Sequence, residues 1–208
     1  MNRRPILAVL ALVVVASTQV ACAETQAVVV VPQDEFPITM SPGVAPGQAD
    51  GCDVEGLPMG RLRGAVYDIP LETRRLPPFA SLAPVESICL DQLDVTPRRS
   101  VYPGVPGMED RFRWFALDLR GEFIVREDGL YYFRLTSDDG AQFFVDDTLV
   151  IDNDGYHPPR MALGAARLTA GEHTIHVPYY QAAGPIALVL EVARPGEGYH
   201  VLRLDQPL

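Results

Sequence analysis

Two short stretches concentrate the oxygen donors of this chain. Ser137-Asp138-Asp139-Gly140 sets two carboxylates side by side ahead of a glycine, and Asp152-Asn153-Asp154-Gly155-Tyr156-His157 follows a few residues later. Two chemistries are open to them. Asp-Gly pairs are common turn formers, and aspartates in turns commonly do no more than face water. Carboxylates crowded together repel unless a cation compensates them, and Ca²⁺ takes about six to eight oxygens from carboxylates, amides and main-chain carbonyls. An EF-hand is excluded, because its D-x-D-x-D-G spacing and terminal Glu are missing.

The position of the two stretches depends on Val145-Asp146-Asp147-Thr148, which lies between apolar runs at 141–145 and 149–151. That pattern predicts the tight turn of a β-hairpin. Folding there brings Asp138-Asp139-Gly140 beside Asp152-Asn153-Asp154-Gly155. At about 3.3 Å per residue it leaves the Asp146-Asp147 turn roughly 15–17 Å away, at the opposite end. Neighbouring side chains on an extended strand point to opposite faces, so Asp138 and Asp139 reach one ion only across a distorted corner, such as a cis peptide, with Gly140 supplying the freedom to turn. The expected ligand set is Asp138, Asp139, Asn153 and Asp154 around Ca²⁺. Asn153, the only asparagine beyond Asn2, offers a neutral oxygen between two aspartates.

The elements that must carry these loops show a period of two. Runs at 65–69, 112–119, 122–125, 131–135, 141–145, 149–151, 173–179 and 186–192, broken by Gly, Pro and Asp, predict an all-β antiparallel β-sandwich with few or no helices. Ile186, Leu188, Leu190 and Val192 fall on one face of their strand with Glu191 on the other, as a half-buried strand requires. Pro178 lacks a ladder donor, which argues for an edge strand or a bulge.

At the start of the chain, Arg3 and Arg4 precede an apolar run at 6–16, then Ala21 and Ala23, which reads as a secretory signal peptide over 1–23. Cys22 offers a rival reading as a lipid acceptor, which would tether the protein to a membrane. A Pro/Gly/acid-rich arm or linker follows over 24–55, then a folded domain over 56–195 and an extension over 196–208 with room for one added strand. Removing 1–23 takes the formal charge from −10 to −12, since two arginines and no acids leave with it. A surface that acidic disfavours a nucleic-acid partner. Past the signal only Cys52 and Cys89 remain, and an even pair in an oxidising compartment is most simply a disulfide.

Catalytic signatures are missing. No G-x-S-x-G, H-E-x-x-H or Gly-rich phosphate loop occurs. His173 and His176, three apart on an expected strand, face opposite sides and form no metal pair. His157, beside the acidic loop, either contacts a ligand or sits exposed.

The stretch DGLYYFRLTSDDGAQFFVDDTLVIDNDG, followed by LTAGEHTIHVPYYQAAGPIALVLEV, resembles the protective-antigen-type domain, the PA-fourteen family. RLRGAVYDI and FRWFALDLRGEFIV are similar to its opening strands, so the resemblance spans about 56–195. It implies a β-sandwich of the kind found in bacterial toxins, glycosidases and adhesins, acting as a glycan-binding or interaction module. In lectin-like members an adjacent aspartate pair joined by a cis peptide holds a Ca²⁺ that binds sugar hydroxyls, and the resemblance puts that role on Asp138 and Asp139. The expected function is then an exported, secreted or periplasmic and cell-surface, non-catalytic module that binds a glycan or cell-envelope polysaccharide. Tyr156 would stack on a sugar face and His157 would line the rim. The alternative is a structural or protein-interaction module of the cell envelope, without metal or sugar.

Overall fold

The computed structural model describes residues 60–98, 104–108 and 111–208. The expected signal peptide, the arm, Cys22 and Cys52 lie outside them. Eleven strands follow in chain order: β1 (Leu62–Asp68), β2 (Glu86–Leu90), β3 (Asp94–Arg98), β4 (Phe115–Val125), β5 (Gly129–Asp138), β6 (Ala141–Val145), β7 (Thr148–Asn153), β8 (Arg160–Leu168), β9 (Gly171–Gln181), β10 (Ile186–Ala193) and β11 (His200–Val201). The one helical element among the described residues is a 3₁₀ turn at Phe79–Ser81. No helix there is long and apolar enough to cross a membrane.

The strands form two antiparallel sheets, as the alternating pattern requires. One runs β2-β1-β4-β9-β6-β7 and the other β11-β10-β5-β8, with β3 also pairing β10. Inward residues of both sheets meet in one core: Phe115, Leu117, Leu119 and Phe123 from β4, Tyr131, Phe133 and Leu135 from β5, and Leu188 and Leu190 from β10. Phe133 and Phe143 touch across the sheets with ring centroids 4.8 Å apart. Burying each such side chain contributes about 1.5–3 kcal/mol.

Several elements differ from the sequence pattern. The runs at 112–119 and 122–125 are one strand, β4, continuous through Gly121. Strands β2, β3 and β8 had no clear period-two signal. In β8, RMALGAARL, small residues replace the β-branched ones because the strand lies hard against β7: a Cβ on Gly164 would sit 2.3 Å from the Val150 carbonyl oxygen. Pro178 is not on an edge, since β9 runs between β4 and β6. Instead the β6 ladder pairs Ala141 with Tyr179 and Phe144 with His176 and is open between them, where proline has no N–H to give.

Glu191 is also not on a wet face. It is buried and takes a two-pronged contact from Arg134, Nε to Oε2 and Nη2 to Oε1, each 2.5 Å, while Arg134 lies over the Tyr199 ring at 4.6 Å. The segment after β10 folds back over this face. Its Leu202 and Leu204 enter the core, Arg203 bridges to Gln92, and the Leu208 N–H donates to the Ile124 carbonyl. The stretch 196–208 is therefore part of the sandwich, with β11 as its added strand. Cys89 is buried in β2, and its expected partner Cys52 lies outside the described residues.

Gly164→Ala is expected to destabilise the domain by about 1–3 kcal/mol, because the new methyl meets backbone that cannot yield. A melting temperature equal to that of the parent protein would show that β7 and β8 are not locked together here.

Candidate functional site

The β6–β7 hairpin turns at Asp146 and Asp147, both with positive φ (47° and 60°), the geometry of a two-residue hairpin turn whose hand suits twisted strands. Its register sets Ala141 opposite Asn153 and Gln142 opposite Asp152. The start of β6 and the end of β7 therefore share one end of the sandwich, and the Asp146-Asp147 turn lies at the other.

At the shared end β5 finishes at Asp138, and the Asp138-Asp139 peptide bond is cis. Both side chains are nearly sealed from solvent, at 1 % and 2 % exposure. The walls come from β9: Tyr179 donates its hydroxyl proton to the Asp138 carbonyl (2.6 Å), Tyr180 donates its N–H to the Gly140 carbonyl (2.9 Å), and Ala182 donates its N–H to Asp139 Oδ2 (2.7 Å). The main-chain N–H of His157 also bonds Asp139. Asp138 Oδ2 and the Tyr180 hydroxyl are buried without any hydrogen-bond partner.

Burial, and secondarily the Asp139 charge beside it, pushes the Asp138 carboxyl up to about 7. Burial raises Asp139 too, opposed by the N–H bonds of Ala182 and His157 and by the nearby Arg74. Tyr180 is raised by burial, with Asp139 and Asp154 adding to it. Such a corner is a desolvated, under-bonded anion pocket, and leaving a buried acceptor unpaired costs about 1–3 kcal/mol.

The second acidic loop reaches this corner, but its side chains are bound up in building it. Asn153, fully buried, accepts Arg160 Nε at Oδ1 (2.7 Å) and donates through Nδ2 to Ser137 Oγ (2.8 Å) and the Arg160 carbonyl (3.0 Å). Asp154 Oδ1 accepts the N–H groups of Leu76 (2.9 Å) and Gly155 (2.8 Å). Asp152 Oδ1 accepts the Asp154 N–H at 3.0 Å. Asn153 Oδ1 and Asp154 Oδ1 thus hold the loop to β8 and to the 70–78 segment, while Asp154 Oδ2 stands 3.7 Å from Arg75 Nη1. Among the described residues no three His, Cys, Asp or Glu side chains gather as a metal site.

Both ring nitrogens of His157 lie 2.9 Å from a carbonyl oxygen, Nε2 from Asn153 and Nδ1 from Pro158, so the ring packs into the loop's backbone. Tyr156 is exposed, with the Arg74 guanidinium carbon 4.2 Å from its ring centre. The loop after β1 was not identified from sequence as part of the site. Its prolines and paired arginines, Arg74-Arg75-Leu76-Pro77-Pro78, mark a loop, yet nothing in the chain order places it beside Asp154, 78 residues away.

Gly140 is the hinge of this packing. A Cβ there would lie 2.6 Å from a Tyr180 ring carbon, 2.7 Å from Asp154 Oδ1 and 2.7 Å from the Gly155 nitrogen. Gly140→Ala is expected to cost about 1–3 kcal/mol by driving the two loops apart, read as a lowered melting temperature. The raised Asp138 carboxyl sets a pH dependence as well. The fold holds its proton more tightly than the unfolded chain does, so this contribution to stability is full below about pH 4 and is lost as pH rises through about 7. In chelator-treated protein, melting temperature should fall between pH 5 and 8 by several degrees more than in Asp138→Asn; parallel curves would contradict a buried, cation-free pair.

The PA14 domain family model matches residues 99–206. Among solved structures, the PA14 domain of the MpAFP antifreeze protein superposes with a TM-score of 0.59 at 18% identity, covering 74% of this chain and 93% of that domain. A PA14 sugar-binding domain from an RTX adhesin gives 0.58 at 18% identity over 70% of this chain and 96% of that one. An anti-sigma factor domain-containing protein from Clostridium clariflavum gives 0.54 at 19% identity, over 72% of this chain and 47% of that one. No curated protein matches the chain by sequence. With the family model covering more than half of the chain and two of these structures being PA14 domains of the same β-sandwich architecture, this chain belongs to the PA14 domain family.

Proposed function

We propose that this chain is a calcium-assisted, non-catalytic carbohydrate-binding module that works outside the cytoplasm, exported by its first 23 residues and braced by a Cys52 to Cys89 disulfide. The observation that carries the reading is the buried Asp138-Asp139 pair, whose Asp138 Oδ2 has no partner in the fold. A hard divalent cation fits that donor set. It removes the repulsion between the two carboxylates, fills the orphaned acceptor, and draws its remaining oxygens from main chain, water and the ligand's own hydroxyls. Asp138 and Asp139 would hold it, and Ca²⁺ would supply the charge that orients vicinal hydroxyls. Sugar binding by a structurally similar PA14 domain supports the choice of ligand class. The rim residues Tyr156 and Arg74 lie together and would contact the sugar.

A second reading, a structural or protein-interaction module with no ligand, draws on the internal bonds that occupy Asn153, Asp154 and His157. Calcium titration separates the two. Ca²⁺ at about a hundredfold over its dissociation constant should raise the melting temperature of the parent protein by about 5–10 °C. Asp138→Asn and Asp139→Asn should abolish the rise, and binding to a glycan array should vanish with chelator. A parent protein that ignores millimolar Ca²⁺ and every glycan leaves only the second reading.

A further inference from the structure

Arginines of this chain commonly meet a carboxylate. Arg61 bonds Asp91 (2.7 Å), Arg134 bonds Glu191, Arg194 bonds Glu127 (2.6 Å), Arg203 bonds Asp205 (2.8 Å), and Arg111 bonds Asp68. Three further arginines, Arg74, Arg75 and Arg160, stand at the dicarboxylate rim. Arg74 makes no ion pair within 4 Å among the described residues and rests on the Tyr156 ring. Arg160 bonds only neutral oxygens, Asn153 Oδ1 and the Asp154 carbonyl. The Arg75 side chain is 80 % exposed and makes a long ion pair with Asp154, Nη1 to Oδ2 3.7 Å, beyond hydrogen-bond reach. Asp154 is in turn saturated at Oδ1 by two N–H groups. A guanidinium is a planar N–H fork that matches a carboxylate or sulfate in a way an ammonium does not.

We infer that the rim selects sugars carrying fixed negative charge: Arg74 and Arg75 grip the acidic group, while hydroxyls of the same residue go to the cation at Asp138 and Asp139. The inference rests on the calcium reading above for the second contact only. A cation there would offset the two buried carboxylates that otherwise repel such a ligand. The net formal charge of −10 disfavours non-specific adsorption of polyanions.

Binding is measured by calorimetry with trigalacturonic acid and its methyl ester, which share a backbone and differ in charge, and with a sulfated galactose oligomer and its desulfated form. Each pair is run with Ca²⁺ and with chelator. In Ca²⁺ at least one acidic member should bind about tenfold or more tightly than its neutral twin. Arg74→Gln with Arg75→Gln should bring that ratio to near one. The uronate and sulfate pairs identify which acid is read. Arg75→Gln alone, on an exposed side chain, should lower the ratio at least severalfold and guards against disturbance of the Tyr156 loop.

Equal binding of acidic and neutral twins, or a ratio that survives the double substitution, overturns the inference while leaving a calcium-dependent sugar site intact. Acidic binding that persists in chelator but falls in the double variant supports the arginine grip and removes the calcium contact. No binding by any of the four oligomers overturns the inference, and the calcium reading falls with it only if the melting temperature also ignores Ca²⁺.

Discussion

Two carboxylates, Asp138 and Asp139, occupy adjacent positions in a corner almost closed to water, and the rest of this end of the sandwich is arranged around that constraint. An ionised carboxylate in such a place is held by N–H donors, by a cation, or by taking up a proton. Asp139 uses the first route, through the Ala182 and His157 amides. Asp138 has no such donor at Oδ2, and its proton affinity rises accordingly. The pair is thus asymmetric: one carboxylate is anchored to the fold by N–H donors and the other has an oxygen without a hydrogen-bond partner.

The surrounding loops serve that asymmetry. Asn153, Asp154 and His157 spend their polar atoms on one another's segments, on Ser137 and on Leu76, and each neutral bond of this kind contributes about 0.5–1.5 kcal/mol net. Their combined effect is positional. They bring β5, β7, β8 and the loop after β1 to a single rim, against a glycine at position 140 that leaves no room for a methyl group. Most of the polar residues around the dicarboxylate corner build its wall.

The far end of the same hairpin shows how context assigns opposite roles to the same residue type. Asp146 there sits partly exposed in the turn, accepts the Thr174 N–H at 2.9 Å and faces His173 Nδ1 at 2.6 Å, while the other ring nitrogen of His173 meets the Thr169 carbonyl at 2.8 Å. Every polar atom named has a partner, so that aspartate fastens a turn. Asp138, the same residue type, is distinguished by what its surroundings withhold.

The strand alternation, the Asp-Asp hairpin turn and the meeting of the two acidic loops at one end were all legible in the sequence, because each follows from local rules: a period of two, a turn residue type, a fixed rise per residue. His173 and His176 fall on opposite sides of β9 for the same reason, one buried against Phe123 and the other stacked on Phe144. What local rules do not contain is which partner consumes a side chain. Asn153 reads as an open ligand until Arg160 occupies its oxygen, and Glu191 reads as a wet-face acid until the chain after β10 covers it and Arg134 pairs with it. The alanine-rich β8 is a strand because β7 leaves space only for small residues, and Arg74 enters the site through a loop docked from far away in the chain. Sequence alone determined the kind of sheet and where the acids gather. Tertiary packing decided which acid stays unsatisfied, because hydrogen-bond saturation depends on contacts between segments that share no sequence neighbourhood.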